Sequence, residues 1–410
     1  MTDTSLDREL GLGDIVLFGV GGIVGAGIYA IIGEAAAYGG NLLWVSFLVA
    51  AGVAFLTALS YAELASRHPD AGGSFEYVRQ AFGVRVAAVS SVAMLFTGVV
   101  AAGAIGIAFS SYLSRLLDLP SLVTTAGIIV VMGVVTGVGA AEASWFNTVA
   151  TVATLGGLAA VVFVSFGEVG SVDLSSADDV GLVSLGVGGA LVFFSFIGFE
   201  DLVKLAEETR DPERTLPRGL LMAAGIVVVV YLLVAVAAVS VLGPDRLAES
   251  PGPLAEIMEA QVGPVGGTVI VVVALFATSK TILSNLLGTS RLVFDVARDT
   301  GRSWLRSFAR VNAVTRTPVA AVIAATAIAV AFGAIGDLRV VAAVANALIM
   351  VVFLLVNAAL LKLRHDSDAS PPFRVPLSIG RYPVPAILSI LGVTVLLVLN
   401  LVALAGPPPG

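Results

Sequence analysis

The sequence predicts an all-α integral membrane protein, and two observations support this fold class. Of the 410 residues, 58% are hydrophobic and only 12% are charged, with a mean hydropathy of +1.01. An ordinary soluble domain carries about 25% charged residues. The apolar runs also lack the polar stripe that a soluble helix needs on its solvent face. The helices are therefore expected to lie in lipid.

Eleven apolar runs are long enough to cross a membrane, since a spanning helix needs about 20 mostly apolar residues. They lie near residues 14–37, 42–65, 84–113, 121–140, 146–167, 183–204, 217–242, 266–297, 317–336, 339–363 and 383–405. The first ten residues are polar and mixed in charge, so no cleavable signal peptide is expected.

The distribution of Arg and Lys predicts the orientation, because cytoplasmic loops retain positive charge. With the N-terminal segment 1–13 inside, eighteen of the 22 basic residues fall in inside segments and three fall outside, while Lys280 lies within a span. The sequence thus predicts a multi-pass protein of the cell membrane. Its N-terminus is expected in the cytoplasm and, from the odd number of spans, its C-terminus outside the cell.

Composition excludes several classes of function. The chain has no Cys, which removes disulfides, thiol nucleophiles and thiolate metal sites. Its two histidines, His68 and His365, leave little for a metal centre, and no cofactor is expected. The net charge of −7 argues against a nucleic-acid partner, because neutralising phosphates requires a basic patch.

Two of the predicted spans are interrupted. The first contains GVGGIVGAGI at residues 19–28, where each glycine costs a continuous helix about 1 kcal/mol relative to alanine. The sixth contains SFIGFE at residues 195–200, with a glycine and a carboxylate inside an apolar run. Glycine-rich stretches in membrane helices also serve close helix packing, which is the alternative interpretation of each segment.

The two interruptions occupy corresponding places in the chain. Each opens a group of five spans, 14–167 and 183–363, and 383–405 adds one more span. Because five is odd, the second group enters the membrane in the opposite orientation, which makes an inverted repeat. Interrupted helices at matching positions of two inverted halves are typical of the substrate site of a secondary transporter.

At these residues the chain resembles the amino acid–polyamine–organocation (APC) superfamily of permeases, over nearly its whole length. The segments that carry the resemblance are GIVGAGI (22–28), YAEL (61–64), HPDAGG (68–73) with Tyr77 and AFG (81–83), GFE (198–200), AEE (206–208), DPER (211–214), LPR (216–218), RL (291–292), ARD (297–299), TPV (317–319) and PFRVP (372–376). The resemblance implies a leucine-transporter-like fold and an amino acid permease rather than an enzyme. The family usually has twelve spans, so its last span is expected to be missing here, and the sequence leaves the oligomeric state open.

A free amino acid carries a carboxylate and an ammonium, and the interrupted helices offer groups for both. Half-helix N-termini present unpaired N–H groups to an anion, which makes Gly25, Ala26 and Gly27 the candidate carboxylate donors. The two glycines are expected to let the substrate approach the backbone closely. The resemblance places one acceptor for the ammonium on the carbonyl of Ile23.

The resemblance extends the substrate site to the second interruption. It implies further ammonium acceptors on the carbonyls of Phe194 and Ile197, and it includes Ser195 and Gly198 among the substrate-binding residues. Either Phe194 or Phe196 is expected to cover the substrate from the outside, and Phe196 is the candidate gate. Plain packing is the alternative for an aromatic residue in an apolar span.

The expected substrates are neutral, apolar L-amino acids. Span three has no acidic residue, and Thr97 stands where cation-selective relatives are expected to carry Glu. No Arg lies near the interruptions, so an acidic side chain would also lack a partner. A charged side chain buried without a partner costs a large desolvation free energy.

Two coupling ions, Na⁺ and H⁺, remain open. The hydroxyls of Thr278 and Ser279 resemble the pair that, with the carbonyls of Gly21 and Val24, holds sodium in related folds. Lys280 follows them, and an intramembrane ammonium is functional by default. It is expected either to occupy the sodium position as a fixed cation or to carry the proton. A quiet ion pair with a span-six carboxylate, or snorkelling, is the alternative.

Further polar residues bear on coupling and gating. Glu200 is expected to cap or hydrogen-bond the inner half of span six, with a part in coupling as the alternative. Thr154 stands where some proton-coupled relatives carry Lys. Glu63, Arg8 and Asp295 lie at cytoplasmic helix ends and are candidates for an inner gate, although exposed ion pairs contribute little.

Symport by alternating access competes with exchange or uniport, and with a channel or nutrient sensor on the same fold. A membrane-embedded enzyme is the rival from another class, because GLGD at residues 11–14 matches the G-x-G-D pattern of intramembrane aspartyl proteases. However, Asp14 stands at a helix start, where a carboxylate interacts favourably with the helix dipole.

Overall fold

The computed structural model describes residues 8–69, 73–176, 180–300, 305–366 and 371–405, which are predominantly helical. Within these ranges, nine helical stretches are long and apolar enough to cross a membrane, and two shorter apolar helices accompany them. This confirms the all-α integral membrane class. The count of eleven spans and the inverted repeat stay predictions. Motif residues 70–72 and Arg302 of the basic loop lie outside the described residues.

The helices of the first half have nearly the predicted bounds. They are α1 (Leu12–Ile23), α2 (Gly27–Gly39), α3 (Leu43–Arg67), α4 (Gly73–Phe82), α5 (Val84–Leu113), α6 (Ser121–Val138) and α7 (Ala140–Ser165). Short 3₁₀ turns at Gly40–Leu42 and Phe166–Glu168 follow α2 and α7.

The second half repeats this agreement. It consists of α8 (Leu182–Val192), α9 (Pro212–Leu242), α10 (Pro244–Glu249), α11 (Pro253–Val262), α12 (Pro264–Thr300), α13 (Val319–Gly333), α14 (Leu338–Asp366), a hairpin of β1 (Ser378–Ile379) and β2 (Tyr382–Pro383), and α15 (Val384–Ala405).

Four small elements were not predicted: α4, α10, α11 and the β1–β2 hairpin. They lie in the polar joints between spans. Pro244 and Pro253 open α10 and α11, where the missing proline N–H is one that no intrahelical acceptor would satisfy. The search for long apolar runs passes over such helices because they are short and rich in charge.

Both interrupted spans are broken in the structure. Helix α1 ends at Ile23 and α2 begins at Gly27. The sixth span runs from α8 into a 3₁₀ segment, Phe193–Phe196, and after Gly198 it continues as a second 3₁₀ segment, Phe199–Glu208. The inner half of span six is therefore 3₁₀ rather than the α-helix that was expected.

Two groups of helices surround the breaks. Helix α5 packs against α12, α13 and α14, while α3 packs against α8 and α9. In the most apolar stretch of α5, 67% of the residues are buried, compared with 28% in the corresponding stretches of α6 and α15. Helices α6 and α15 therefore lie at the periphery, with apolar faces suited to lipid contact.

Candidate functional site

The two broken segments lie directly against each other. A Cβ added at Gly27 would fall 2.6 Å from the Cα of Ser195, and one at Gly198 would fall 2.8 Å from the carbonyl oxygen of Gly22. Gly198 also has φ of 124°, in a region that side chains rarely adopt. The glycines therefore permit close packing of the breaks, which was the alternative interpretation.

Tyr231 in α9 joins the two breaks through one hydroxyl. Its oxygen lies 3.1 Å from the carbonyl oxygen of Ile23 and 3.1 Å from that of Ser195. A single phenolic proton serves both acceptors, so the hydroxyl is shared between them. Ile23 O also accepts from the N–H of Gly25 at 2.8 Å. The carbonyl predicted to receive an ammonium is thus already occupied by protein donors.

Thr281 in α12 also contacts the first break. Its Oγ1 accepts from the N–H of Ala26 at 3.0 Å and donates to Ala277 O at 2.9 Å. A Cβ at Gly25 would fall 2.6 Å from this hydroxyl oxygen. The room expected beside Gly25 and Gly27 for a substrate is therefore taken by protein atoms, the Thr281 hydroxyl at Gly25 and Ser195 at Gly27.

One polar atom at the breaks is left over. The Oγ of Ser195 is buried, in a residue that is 1% exposed, and it has no hydrogen-bond partner among the described residues. A Cβ at Gly27 would lie 3.3 Å from it. Buried hydroxyls are normally satisfied, so an orphan at the meeting point of two broken helices indicates a position for a ligand atom.

Lys280 lies beside the first break, on α12. Its ammonium donates a hydrogen bond to the carbonyl oxygen of Gly21, and the residue is 4% exposed. Within the described part of the chain, no carboxylate lies within ion-pair distance of it. Neither the ion pair with span six nor snorkelling is observed. The ammonium instead contacts a carbonyl that was expected to bind sodium.

The other predicted ion-coupling residues are arranged differently. Thr278 Oγ1 turns back onto its own helix, 2.7 Å from Ala274 O and 3.1 Å from Leu275 O. Ser279 and Val24 are both buried, and their part in ion binding stays a prediction. On α7, the methyl group of Thr151, rather than Thr154, faces Gly21.

Glu200 forms a hydrogen bond with the backbone of the second break. Its Oε2 accepts from the N–H of Gly198 at 2.8 Å, and the residue is buried. This is the local hydrogen bond expected of it. The next carboxylate, Asp201, forms an exposed ion pair with Lys204. Glu200 thus acts on the backbone of the break in this structure.

The aromatic residues of span six pack among other rings. Phe196 meets Tyr231 edge to face with ring centroids 5.2 Å apart, and Phe193 meets Phe353 at 5.9 Å. Phe194 and Phe196 are both buried, and the Phe194 carbonyl accepts a long 3.4 Å bond from the N–H of Ile197. In this structure both phenylalanines serve packing around the breaks, and gating by Phe196 stays a prediction.

The structure does not bring Glu63, Arg8 and Asp295 together, and their part in an inner gate stays a prediction. Asp295 pairs with Arg298 on its own helix, and the carbonyl of Arg8 accepts a hydrogen bond from Arg210. Glu63 has other partners because α14 and the segment before α15 close over the end of α3.

Glu63 is fully buried and lies at the centre of a charge cluster. Its two carboxylate oxygens accept from Arg364 of α14, one of them at 2.8 Å from Nε. They also accept from Arg67 Nε at 2.9 Å and from the N–H of Val375 at 2.8 Å. Arg364 donates further to Ser378 Oγ at 2.7 Å. We call Glu63, Arg67, Arg364, Val375 and Ser378 the Glu63 cluster.

Asp14 has the role that its position at a helix start predicts. Its Oδ2 accepts from the N–H of Gly11 at 2.9 Å, which caps α1. The G-x-G-D match therefore corresponds to a helix start in which the carboxylate at the third helical position binds the backbone N–H of the N-cap residue, which is one half of a capping box.

Sequence reasoning missed Tyr231, Thr281 and Arg364. The first two are single hydroxyls inside apolar spans, where packing is the default interpretation. A weak signal existed for Thr281, because it lies three residues after Thr278 and beside Lys280, on nearly the same helical face. Arg364 was counted only as an orientation signal at the end of a span.

Comparison with known proteins identifies the family of this chain. A family model described as amino acid permease matches residues 10–410. A transporter of Mycobacterium bovis is 33% identical over 379 residues, which cover 91% of this chain and 84% of the relative.

Some relatives have names that specify a substrate. The branched-chain amino acid permease BcaP of Bacillus subtilis is 27% identical, with 91% of this chain and 85% of the relative covered. The vacuolar cationic amino acid transporter 8 of Arabidopsis thaliana is 28% identical, with 90% of this chain and 65% of the relative covered.

Proposed function

The chain belongs to the amino acid permease family of the APC superfamily, and from this premise we propose that it imports neutral, apolar L-amino acids by alternating access. The observation that carries the proposal is the orphan Ser195 hydroxyl, buried where two broken helices meet. Membership of a transporter family argues against an enzyme. The membrane is the cell membrane, with the N-terminus in the cytoplasm, as the basic residues predict.

The substrate's carboxylate binds the first break in this proposal. It replaces the Thr281 hydroxyl as the acceptor for the N–H of Ala26 and also reaches the N–H of Gly27 and the Ser195 hydroxyl. The exchange conserves hydrogen bonds, and a carboxylate accepts more strongly than a neutral hydroxyl. Thr281 thus serves as the hydrogen-bond acceptor for the N–H of Ala26 until the carboxylate of the substrate replaces it.

The substrate's ammonium binds the carbonyls that Tyr231 now holds. Ile23 O and Ser195 O point to one place, since a single hydroxyl reaches both at 3.1 Å. An ammonium has three donors, so it serves both carbonyls and a third, such as Ile197 O, at once. Tyr231 is then a placeholder for the ammonium in the same way that Thr281 is for the carboxylate.

Neutral selectivity follows from the charges near the breaks. Glu200 is engaged by the N–H of Gly198, and Thr97 Oγ1 bonds to Ala93 O at 2.8 Å on its own helix. Thr97 carries no charge that could pair with a cationic side chain, and Glu200 binds the backbone of the break, so we expect burial of such a side chain to be costly. The branched-chain substrate in the name of BcaP agrees with this choice, and the cationic substrate in the name of the Arabidopsis relative differs from it.

We also propose that protons, rather than sodium ions, drive accumulation. The Lys280 ammonium contacts the Gly21 carbonyl, so a sodium ion at that carbonyl would meet a positive charge at close range. Loss of its proton frees that carbonyl and removes the charge beside the break. Exchange of the proton on Lys280 with the two sides of the membrane then couples the gradient to movement of α1.

Counterflow in proteoliposomes tests transport and selectivity together. Vesicles loaded with unlabelled leucine should take up labelled leucine, and external isoleucine or valine should compete while arginine and glutamate do not. Stronger competition by arginine would overturn the neutral assignment. Leucine binding without counterflow would instead show a sensor, and ionic current without saturable counterflow would show a channel.

Imposed gradients test the coupling ion. Leucine should accumulate above equilibrium in vesicles with an inward proton gradient and no sodium. Accumulation that requires a sodium gradient would contradict proton coupling, and counterflow without accumulation under either gradient would establish an exchanger or uniporter.

A further inference from the structure

A pocket of about 330 Å³ lies away from the breaks, between the end of α6, the α12 helix and the start of α13. Arg291 and Arg316 line it together with several hydroxyl-bearing residues and with the apolar Val138, Leu287, Pro318 and Val322. This is the end of the helix bundle that the basic residues predict to face the cytoplasm. The substrate site does not use any of these residues.

The loop that brings Arg316 into the pocket is held in one shape. The side chain of Asn312 accepts from the N–H of Val314 at 2.8 Å, and its carbonyl accepts from the N–H of Arg316 at 2.9 Å. The loop is attached to α6 because Thr317 Oγ1 donates to Gly137 O at 2.8 Å. Arg316 itself has φ of 55°, an uncommon conformation that the surrounding hydrogen bonds maintain.

Positive charge and free donors converge on this pocket. Within the described residues, the guanidinium groups of Arg291 and Arg316 form no hydrogen bond or ion pair. Helix α13 begins at Val319, whose N–H already bonds to Thr317 O at 3.0 Å. The N–H groups of Ala320 and Ala321 and the positive end of the helix dipole remain at this end of α13. Guanidinium groups and helix N-termini are the donors that proteins use for phosphate.

Apolar surface continues from the pocket into the membrane region. Val138 and Val322 line the pocket. Next to them Val134 on α6 and Ile323 on α13 are 61% and 63% exposed. A ligand with a phosphate and long apolar chains would fit both surfaces at once, whereas a free phosphate would use only the polar part.

We propose that this pocket binds the headgroup phosphate of an anionic phospholipid, with the acyl chains lying along the exposed faces of α6 and α13. Basic pockets between membrane helices on the cytoplasmic side bind such headgroups. Arg291 and Arg316 contact the phosphate oxygens, and the first turn of α13 donates from its backbone. The bound lipid joins α6, α12 and α13 at one end of the bundle.

Native mass spectrometry with phosphatidylglycerol tests the proposal, using protein that carries Arg291→Gln and Arg316→Gln together. The loss of both arginine contacts with the headgroup phosphate should weaken phosphatidylglycerol binding roughly 30-fold. The matched control carries Arg306→Gln and Arg310→Gln, two exposed residues of the same loop that do not line the pocket. The control should bind as wild type does. Equal weakening in both proteins would show nonspecific attraction and overturn the proposal.

Two further measurements distinguish the lipid site from a folding defect of the variant and from a site for a free anion. The Arg291→Lys, Arg316→Lys protein keeps the charge and should bind with intermediate affinity, which a folding defect would not produce. Phosphatidylglycerol should also raise the melting temperature of wild type more than millimolar glycerol 3-phosphate or phosphatidylcholine does. An equal rise with glycerol 3-phosphate would show a site for a free anion and contradict the lipid assignment.

Discussion

Two regions of this molecule bury charge, and they compensate it differently. In the Glu63 cluster, two guanidinium groups and a backbone N–H satisfy one carboxylate, and the elements they join are α3, α14 and the segment before α15. Lys280 has a single described acceptor, the carbonyl of Gly21 beside the first break. A saturated cluster fixes structure, whereas a cation with one carbonyl partner is free to change its protonation state.

The largest effect on stability is expected for the saturated cluster. Arg364→Met removes the main partner of a fully buried carboxylate and should lower the free energy of unfolding by about 3–5 kcal/mol. Melting followed by fluorescence-detected size-exclusion chromatography measures the loss. Arg374→Gln, an exposed neighbour of Val375, is the control and should melt as wild type does. Equal melting temperatures of Arg364→Met and wild type would show that the Glu63 cluster does not stabilise the fold.

A second large effect is expected at the break in span six. Gly198→Ala places a Cβ 2.8 Å from Gly22 O at φ of 124°, which should cost about 1–3 kcal/mol and impair counterflow. Gly225→Ala in α9 is the matched control, because no atom lies within 4 Å of its added Cβ. That control should be at least as stable as wild type. Unchanged counterflow in Gly198→Ala would show that the two breaks need not touch during transport.

An intermediate effect, with an unusual sign, is expected at Thr281. Thr281→Val leaves the N–H of Ala26 unpaired in the empty protein, and a bound carboxylate would restore its partner. Leucine should therefore bind roughly tenfold more tightly, while the melting temperature without leucine should fall. Titration of leucine in a thermal-shift assay measures both changes.

The control for this prediction is Thr268→Val, whose hydroxyl bonds only to Pro264 O on its own helix. It should leave affinity and melting temperature unchanged. Weaker leucine binding in Thr281→Val would mean that Thr281 is a ligand for the substrate rather than a placeholder.

The smallest effect is expected at the exposed pair of Glu76 and Arg79 on α4. Hydrogen bonds from Arg79 hold the pKa of Glu76 below its usual range. A lowered carboxyl pKa stabilises the fold above the unfolded pKa, and this contribution is lost as pH falls through the folded pKa. Because the pair is exposed, Arg79→Gln should lower the melting temperature only slightly at pH 7. At pH 3, where this contribution is being lost, the melting temperature of the variant should equal that of wild type. A shift as large as that of Arg364→Met would contradict the distinction between exposed and buried pairs.

The sequence was sufficient for the long apolar helices but not for the short helices between them or for the side-chain contacts. The apolar run 84–113 coincides with α5, because length and hydropathy decide where a chain enters and leaves lipid. The break at Gly25 was also predictable from helix propensity. In contrast, Tyr231 and Arg364 act across more than 30 residues of chain, to Ser195 and to Glu63, and no local pattern encodes such a distance.

For Lys280, too, the sequence predicted a role but not the contact that the side chain makes. Its charge in an apolar span was visible in the sequence, and it predicted a functional role. Which atom receives the ammonium depended on how α12 packs against α1. The Gly21 carbonyl was expected to face sodium, and it faces Lys280 instead.

Proton-driven accumulation of leucine by Lys280→Met, measured beside its counterflow, tests the central claim most directly. The claim is that the buried ammonium at Gly21 couples transport to the proton gradient, so the variant should lose accumulation above equilibrium while it retains leucine counterflow and wild-type stability. Accumulation equal to that of wild type would contradict the claim and leave Lys280 as a structural cation.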